Sequence, residues 1–271
     1  MSARSVSARS ASVAENRLIT IPISHYCEKA RWALERSGVA YVEEPHLQGI
    51  HLAASRLAGG TGTTPVLVTT DAGVLSESAD ILAYADARAP EDRRVYPAEP
   101  TERDAVRALE RDFDDDLGPQ GRLWMYHHVL PRRDLARTYA TPGVPDWQRR
   151  LLPPLYPLVS RFISRRLGVT ASAAAEADRR VSATFDRVAE RLSDGRPYLC
   201  GERFTAADLT FSALAGAVVM PTQWSIPLPS PEELPPAAGD RVRAFREHPA
   251  GRHALRMFAT ERSVGDVGAP A

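Results

Sequence analysis

The sequence predicts an α+β chain: a small α/β domain built on a mixed sheet, followed by an all-helical domain. Three observations predict it. Between Arg17 and Arg88, short strand-like and helix-like stretches alternate. The segment Ala89 to Glu102, "APEDRRVYPAEPTE", breaks that alternation with three prolines and reads as a linker. Everything after it reads as helix.

In order, "RLITIP" (Arg17 to Pro22) is β-like. "YCEKARWALERSG" is helical and ends at Gly38, a residue suited to the left-handed cap of a helix. "VAYVEE" alternates apolar and polar residues as a strand does. "QGIHLAASRLAGG" is a weaker helix closed by glycines, and "TPVLVTTDAGVLS" gives two strands around the turn "TDAG". "ESADILAYADARA" is a third helix with Ile81, Leu82 and Ala85 on one side. The order is therefore β-α-β-α-β-β-α, which suits a small mixed sheet.

Past the linker, "TERDAVRALERDFDDDLG" starts with a Thr cap and first-turn acids, and its "RDFDDD" run reads as a solvated face. "SAAAEADRRVSATFDRVAERLSDG" has helical spacing and a terminal glycine. "FTAADLTFSALAGAVVM" is apolar nearly all round and should be a buried central helix. Before it, Thr205 and Asp208 stand at capping-box spacing, a folding signal. "AGRHALRMFATER" closes the chain. The proline-rich pieces Pro142 to Pro157 and Pro221 to Pro236 read as long loops or broken helices.

Composition excludes several classes. Lys+Arg and Asp+Glu both total 34, so the chain lacks the basic excess that nucleic acid demands. Cys27 and Cys200 suggest neither a disulfide framework nor a zinc site, so a reducing cytoplasm and no metal are expected. No apolar run approaches ~18 residues, so no membrane partner is expected. The Ser/Ala/Arg-rich start, "MSARSVSARSASVAE", has the composition of a transit peptide without its amphipathic pattern; residues 1–16 are expected to be a disordered tail.

Chemistry concentrates in three short motifs. "SHYC", Ser24 to Cys27, lies where the first strand hands over to its helix, and a helix start offers unpaired N–H groups and a dipole to an anion. A free thiol is only about 3% ionised at pH 7, and such a site turns it into a ready nucleophile. Ser24 is either a plain N-cap or a donor to that sulfur. Cys27, one turn on, is either a small packed thiol or a redox cysteine with lowered pKa. In "GTTPVL", a proline opens a strand, which marks a cis bond or an edge. In "LSESADIL", Glu77 and Ser78 at a helix start can hold an amino-acid zwitterion, carboxylate on Ser78 and ammonium on Glu77.

The domain order and these motifs together resemble the glutathione transferase family over about Leu18 to Arg262. The resemblance implies a thioredoxin-like domain at 17–88, a linker at 89–101 and an all-helical domain with the electrophile pocket at 102–271. It implies a serine-type site in which Ser24 meets the glutathione sulfur, with Tyr26 beside it. Thr64 would pair its backbone with the cysteinyl part of glutathione ahead of a cis Pro65, and Glu77 and Ser78 would hold the γ-glutamyl end. For the glycine end, "PHLQGIH" supplies His46, Gln48 and His51. The electrophile pocket would draw on "RLWMYHH": Trp124, Tyr126, His127 and His128, or else these pack between helices. The implied protein is a cytoplasmic homodimer that uses glutathione as co-substrate, without metal, against a small apolar electrophile, by conjugation or isomerisation. Two alternatives stand beside it: a thiol-disulfide oxidoreductase using Cys27, and a non-catalytic scaffold of the same fold. The stretch Pro119 to Ser172 is longer and richer in proline than a compact helix pair needs, and would shape the pocket.

Overall fold

The computed structural model describes residues 15–262. The expected tail at 1–16 therefore lies almost wholly outside the described residues, as do residues 263–271. The first half carries β1 (Arg17–Thr20), α1 (His25–Ser37), β2 (Val42–Pro45), α2 (His51–Leu57), β3 (Val66–Val68), β4 (Val74–Leu75) and α3 (Ser78–Asp86). They form one mixed sheet in the order β2-β1-β3-β4, with β1 and β2 parallel and the other pairs antiparallel. This is the thioredoxin-like arrangement expected. Leu18 and Ile19 of β1 and Val66 and Leu67 of β3 are buried, so the centre of the sheet is apolar.

α1 shows how local signals fix an element. Ser24 caps it, accepting a hydrogen bond from the Cys27 amide, and Gly38 ends it at φ 72°, where a side chain would be strained. Cys27, Ala30, Trp32 and Leu34 are buried, and the helix packs between α3 and the helical domain.

The helical domain comprises α4 (Pro100–Asp112), a π-helical turn (Phe113–Leu117), α5 (Gly118–Val129), α6 (Arg133–Tyr139), α7 (Asp146–Leu167), α8 (Ala171–Arg191), α9 (Ala206–Val219), α10 (Pro236–Glu247) and α11 (Pro249–Thr260). α9 is buried along its entire length, as its unbroken apolar character demands. The buried Asp208 carboxylate holds its start, accepting from Thr205 N at 3.0 Å, Thr205 Oγ1 at 2.8 Å and Leu199 N at 2.7 Å.

Three expectations change. α4 is capped by the Glu99 carboxylate, which accepts from Glu102 N at 2.7 Å, and not by Thr101. "RDFDDD" is no solvated face: its chain winds into the π turn, and Asp114 turns inward to Lys29, 2.6 Å away. Of the two alternatives for Pro142 to Pro157, loop or broken helix, the segment from Asp146 on is helix and is unbroken, because α7 runs through Pro153, Pro154 and Pro157. Each proline removes one intrahelical N–H donor, yet Leu152, Tyr156 and Ile163 are buried against neighbouring elements and offset that loss.

Candidate functional site

The site is built around the start of α1. Ser24 has extended backbone, φ −71° and ψ 124°, and its own amide donates to Ile21 O at 3.1 Å. Its Oγ accepts from Cys27 N at 3.4 Å, which leaves the hydroxyl proton for a further acceptor. The first helical N–H groups have no intrahelical acceptor and the dipole is positive there. Tyr26 is anchored away from them: its hydroxyl donates to Asp114 O, in the π turn, at 2.7 Å. A Cβ on Gly118 would stand 2.1 Å from that hydroxyl, so glycine is required at the start of α5. Burial pushes the Tyr26 phenol well above its ordinary pKa, with Asp114, Asp115 and Glu77 adding to the shift.

Facing this helix start is the loop into β3, where the Thr64–Pro65 bond is cis. Gly62 N in that loop donates to the buried Ser55 Oγ at 3.0 Å, which ties the loop to α2. Ser24, Tyr26, Thr64, Gln48, His51 and Tyr126 line one cleft of about 200 Å³ between the two domains. Tyr126 of α5 donates to Gln48 Oε1 at 3.1 Å and so bridges the domains; burial pushes its phenol up to about 12. His51 accepts from Gly49 N through Nδ1, and burial holds it down at about 4. His46 is tied instead to the Gln148 amide at 2.9 Å.

Other expected residues stand elsewhere. Cys27 is 0% exposed, and burial raises its thiol pKa, the reverse of what a redox thiolate requires. Pro65 is buried behind the cleft wall. Ser78 is buried in the first turn of α3, and Glu77 is the exposed N-cap with no side-chain cap bond; neither lines the cleft. Trp124, His127 and His128 are not cleft residues. Trp124 packs at 4.7 Å from the His128 ring and 6.0 Å from Phe245, and His127 lies 5.0 Å from His128, within the helical domain.

The structure adds His25, Arg122, Met125 and Arg166 to the cleft. His25 is fully buried, and burial, helped by the nearby Arg122 charge, pushes it down to about 3, so it is neutral. Among the described residues the cleft wall carries Arg122 and Arg166 and no carboxylate. A helical-face reading of α5 would have found this wall. Arg122, Met125, Tyr126 and Val129 share one face at i, i+3, i+4, i+7, and Trp124 with His128 share another.

Beside the cleft lies an apolar cavity of about 50 Å³. It shares Ile21, Ile23, Met125 and Tyr126 with the cleft and is closed by Leu152, Tyr156 and Ile163 of α7. An anion-favouring helix start and an apolar chamber thus share a wall.

Two family models match this chain: the glutathione S-transferase N-terminal domain over residues 18–93 and the C-terminal domain over 171–248, together more than half of its length. The chain belongs to the glutathione S-transferase family. Solved glutathione S-transferase folds superpose along nearly all of it. Beta-etherase LigF from Sphingobium sp. strain SYK-6 is 17% identical, covering 90% of this chain and 99% of its own, at TM-score 0.57. A theta class glutathione S-transferase from Xanthomonas axonopodis pv. citri, solved with glutathione bound, is 21% identical, covering 89% and 97%, at TM-score 0.54. FzlA from C. crescentus is 20% identical, covering 90% and 92%, at TM-score 0.55. No curated protein matches the chain. At such identities the likeness carries the glutathione S-transferase fold, and the chemistry has to come from the cleft itself.

Proposed function

We propose that this glutathione S-transferase binds glutathione across the thioredoxin-like domain and presents its thiolate, at Ser24, to a small apolar electrophile. The observation that carries this is the half-buried Ser24 hydroxyl at the N-terminus of α1, on the wall of a cleft that holds two guanidinium groups and no carboxylate. The Cys27 amide occupies one acceptor site of the hydroxyl, which leaves its proton to be donated to the sulfur. Unpaired first-turn N–H groups add further stabilisation of negative charge. Thr64, ahead of cis Pro65, would offer its backbone to the cysteinyl part, and the γ-glutamyl end would extend past the cleft to the start of α3, where Glu77 and Ser78 would hold it. Gln48, His51 and Arg166 stand where the glycine end would lie. The electrophile would lie in the cleft against Met125 and Tyr126, by conjugation or thiol-assisted isomerisation. A cytoplasmic homodimer is the expected form.

Burial of Cys27 favours this reading over an oxidoreductase. Calorimetric titration with glutathione, paired with a conjugation assay on an activated aryl halide, tests it. Ser24→Ala should keep most of the binding and lower kcat/KM by about a hundredfold, the loss seen when one oxyanion donor is removed. An unchanged kcat/KM would remove Ser24 from the chemistry. Absence of any glutathione binding would leave the scaffold reading.

A further inference from the structure

α7 combines two features that the cleft does not use. Along its outer face Trp147, Leu151, Leu155, Leu158 and Phe162 are exposed, Leu158 at 67% and Trp147 at 56%. The spacing of four, four, three and four places all five within one stripe of the helix. Arg150, Arg161 and Arg165 follow one edge of that stripe. Over its whole length α7 has Arg149, Arg150, Arg161, Arg165 and Arg166 against a single acid, Asp146, although the chain as a whole is neutral. Only Arg149 is engaged, by Asp146; the other four have no ion-pair partner among the described residues. At its C-terminal end a shallow depression sets Leu158 and Phe162 among Arg161, Arg165 and Arg166.

We propose that this face of α7 docks onto the surface of an anionic lipid bilayer, lying in the plane of the interface. A helix with a Trp/Leu/Phe stripe edged by arginines gains from burying apolar area at the acyl boundary and from attraction to anionic headgroups. The charge decides between occupants. A second copy of the chain meeting this face about a two-fold axis would bring the same arginines against themselves, with one acid per helix to answer them. An anionic surface answers Arg150, Arg161 and Arg165, which edge the stripe. No described helix is long and apolar enough to cross a membrane, and docking requires no crossing. This departs from the sequence-based expectation that the protein has no membrane partner.

The placement has a consequence that rests on the proposed thiol chemistry. An apolar groove between Ile50 and Leu52 on one side and Leu155 and Phe162 on the other opens at the docking face. It shares Leu47, Gln48, Leu152 and Val159 with the inner cavity, which in turn adjoins the cleft at Ser24. A lipophilic electrophile held in the bilayer would thus meet the outer side of the residues that wall the inner cavity.

Vesicle flotation tests the docking without any thiol, so its failure is separable from failure of the glutathione reading. Vesicles of phosphatidylcholine mixed with phosphatidylglycerol should carry the full-length protein, and pure phosphatidylcholine should carry much less. Trp147 is the reporter, because Trp32, Trp124 and Trp224 are buried. Its emission should shift to the blue on binding and be quenched by brominated lipid. Arg161→Gln should weaken binding by roughly fivefold, Arg161→Gln with Arg165→Gln by more, and added salt should do the same. Leu158→Glu with Phe162→Glu, both at exposed positions, should abolish flotation while far-UV circular dichroism stays unchanged. Three results would overturn the proposal: no flotation with anionic vesicles; flotation that survives Leu158→Glu with Phe162→Glu or leaves Trp147 unshifted; or a dimer in analytical ultracentrifugation that Leu158→Glu dissolves, with no vesicle binding.

Discussion

α1 and α7 break the same rule in opposite directions. α1 buries charge: Glu28, Lys29 and Arg31 are at most 2% exposed. α7 leaves large apolar side chains in water. In α1 every buried charge has a partner from another element. Lys29 lies 2.9 Å from Glu110 and 2.6 Å from Asp114, both in the helical domain. Arg31 lies 2.7 Å from Glu43 of β2, and Glu28 lies 3.0 Å from Arg262. The Lys29 and Glu28 pairs tie the thioredoxin-like domain to the helical one, and the Arg31 pair ties α1 to its own sheet. Thus α1 is fixed by ion pairs internal to the chain, whereas the arginines that edge the exposed stripe of α7 have no ion-pair partner among the described residues.

The sharpest way to break the comparison is to unpair α1. Lys29→Met leaves the Glu110 and Asp114 carboxylates facing each other with no cation. Removing one partner of a buried pair costs about 3–5 kcal/mol. The denaturant midpoint should fall accordingly, and the cleft should loosen, because Asp114 O also anchors Tyr26. A loss under about 1 kcal/mol would mean that the ion pair is solvated in solution and that α1 is not the staple described.

Acid should act on the same end of the molecule. His25 begins α1 with its pKa held at about 3 against an ordinary 6.5, through burial first and Arg122 second. A histidine whose folded pKa lies below its unfolded value takes up its proton on unfolding. Its contribution is therefore intact above pH 6.5 and is lost as pH falls toward 3. Between pH 7 and 5 this amounts to about 2 kcal/mol, and His51, held at about 4, loses a similar amount. Urea midpoints at pH 7 and pH 5 should show the combined fall, and His25→Gln should remove about half of it. A pH-independent midpoint would mean that both rings are solvated. α7 contains no histidine and enters this slope only through Arg166, whose charge helps hold His51 down.

A smaller effect separates the two readings of the sulfur in α1. Cys27→Ala removes one buried thiol and should cost about 1 kcal/mol of stability, with kcat/KM essentially kept. Abolished activity in a folded variant would restore the oxidoreductase alternative.

Much of α1 was legible because its signals are local: a serine cap, first-turn spacing and Gly38. α9 was legible for a different reason, since a helix apolar on every face can only be central. The π turn at Phe113 to Leu117 was not, because what draws Asp114 inward is Lys29, 85 residues away in sequence. Three acids in a row carry no mark of a distant cation. The aromatic and imidazole cluster of α5 leaves pocket and packing open in sequence, and the helix divides it between them: Tyr126 faces the cleft, while Trp124 and His128 pack inside the helical domain. In α7, three prolines hid a helix whose inner side chains, Leu152, Tyr156 and Ile163, compensate for the missing donors.

The finest test of the comparison lies within α7 itself. Leu152 is buried over the cavity, and Leu155, less than one turn on, is 42% exposed. Leu152→Ala should therefore cost about 2–5 kcal/mol, as a core truncation does. Leu155→Gln changes a similar volume on the water side and should move the midpoint by no more than about 0.5 kcal/mol in lipid-free buffer. If Leu155→Gln proves as costly as Leu152→Ala, the outer stripe is already covered by protein, and α7 is a core helix like α1. If it is neutral in buffer yet weakens vesicle flotation, the stripe is a surface kept apolar for something outside the chain, and the asymmetry between the two helices is functional.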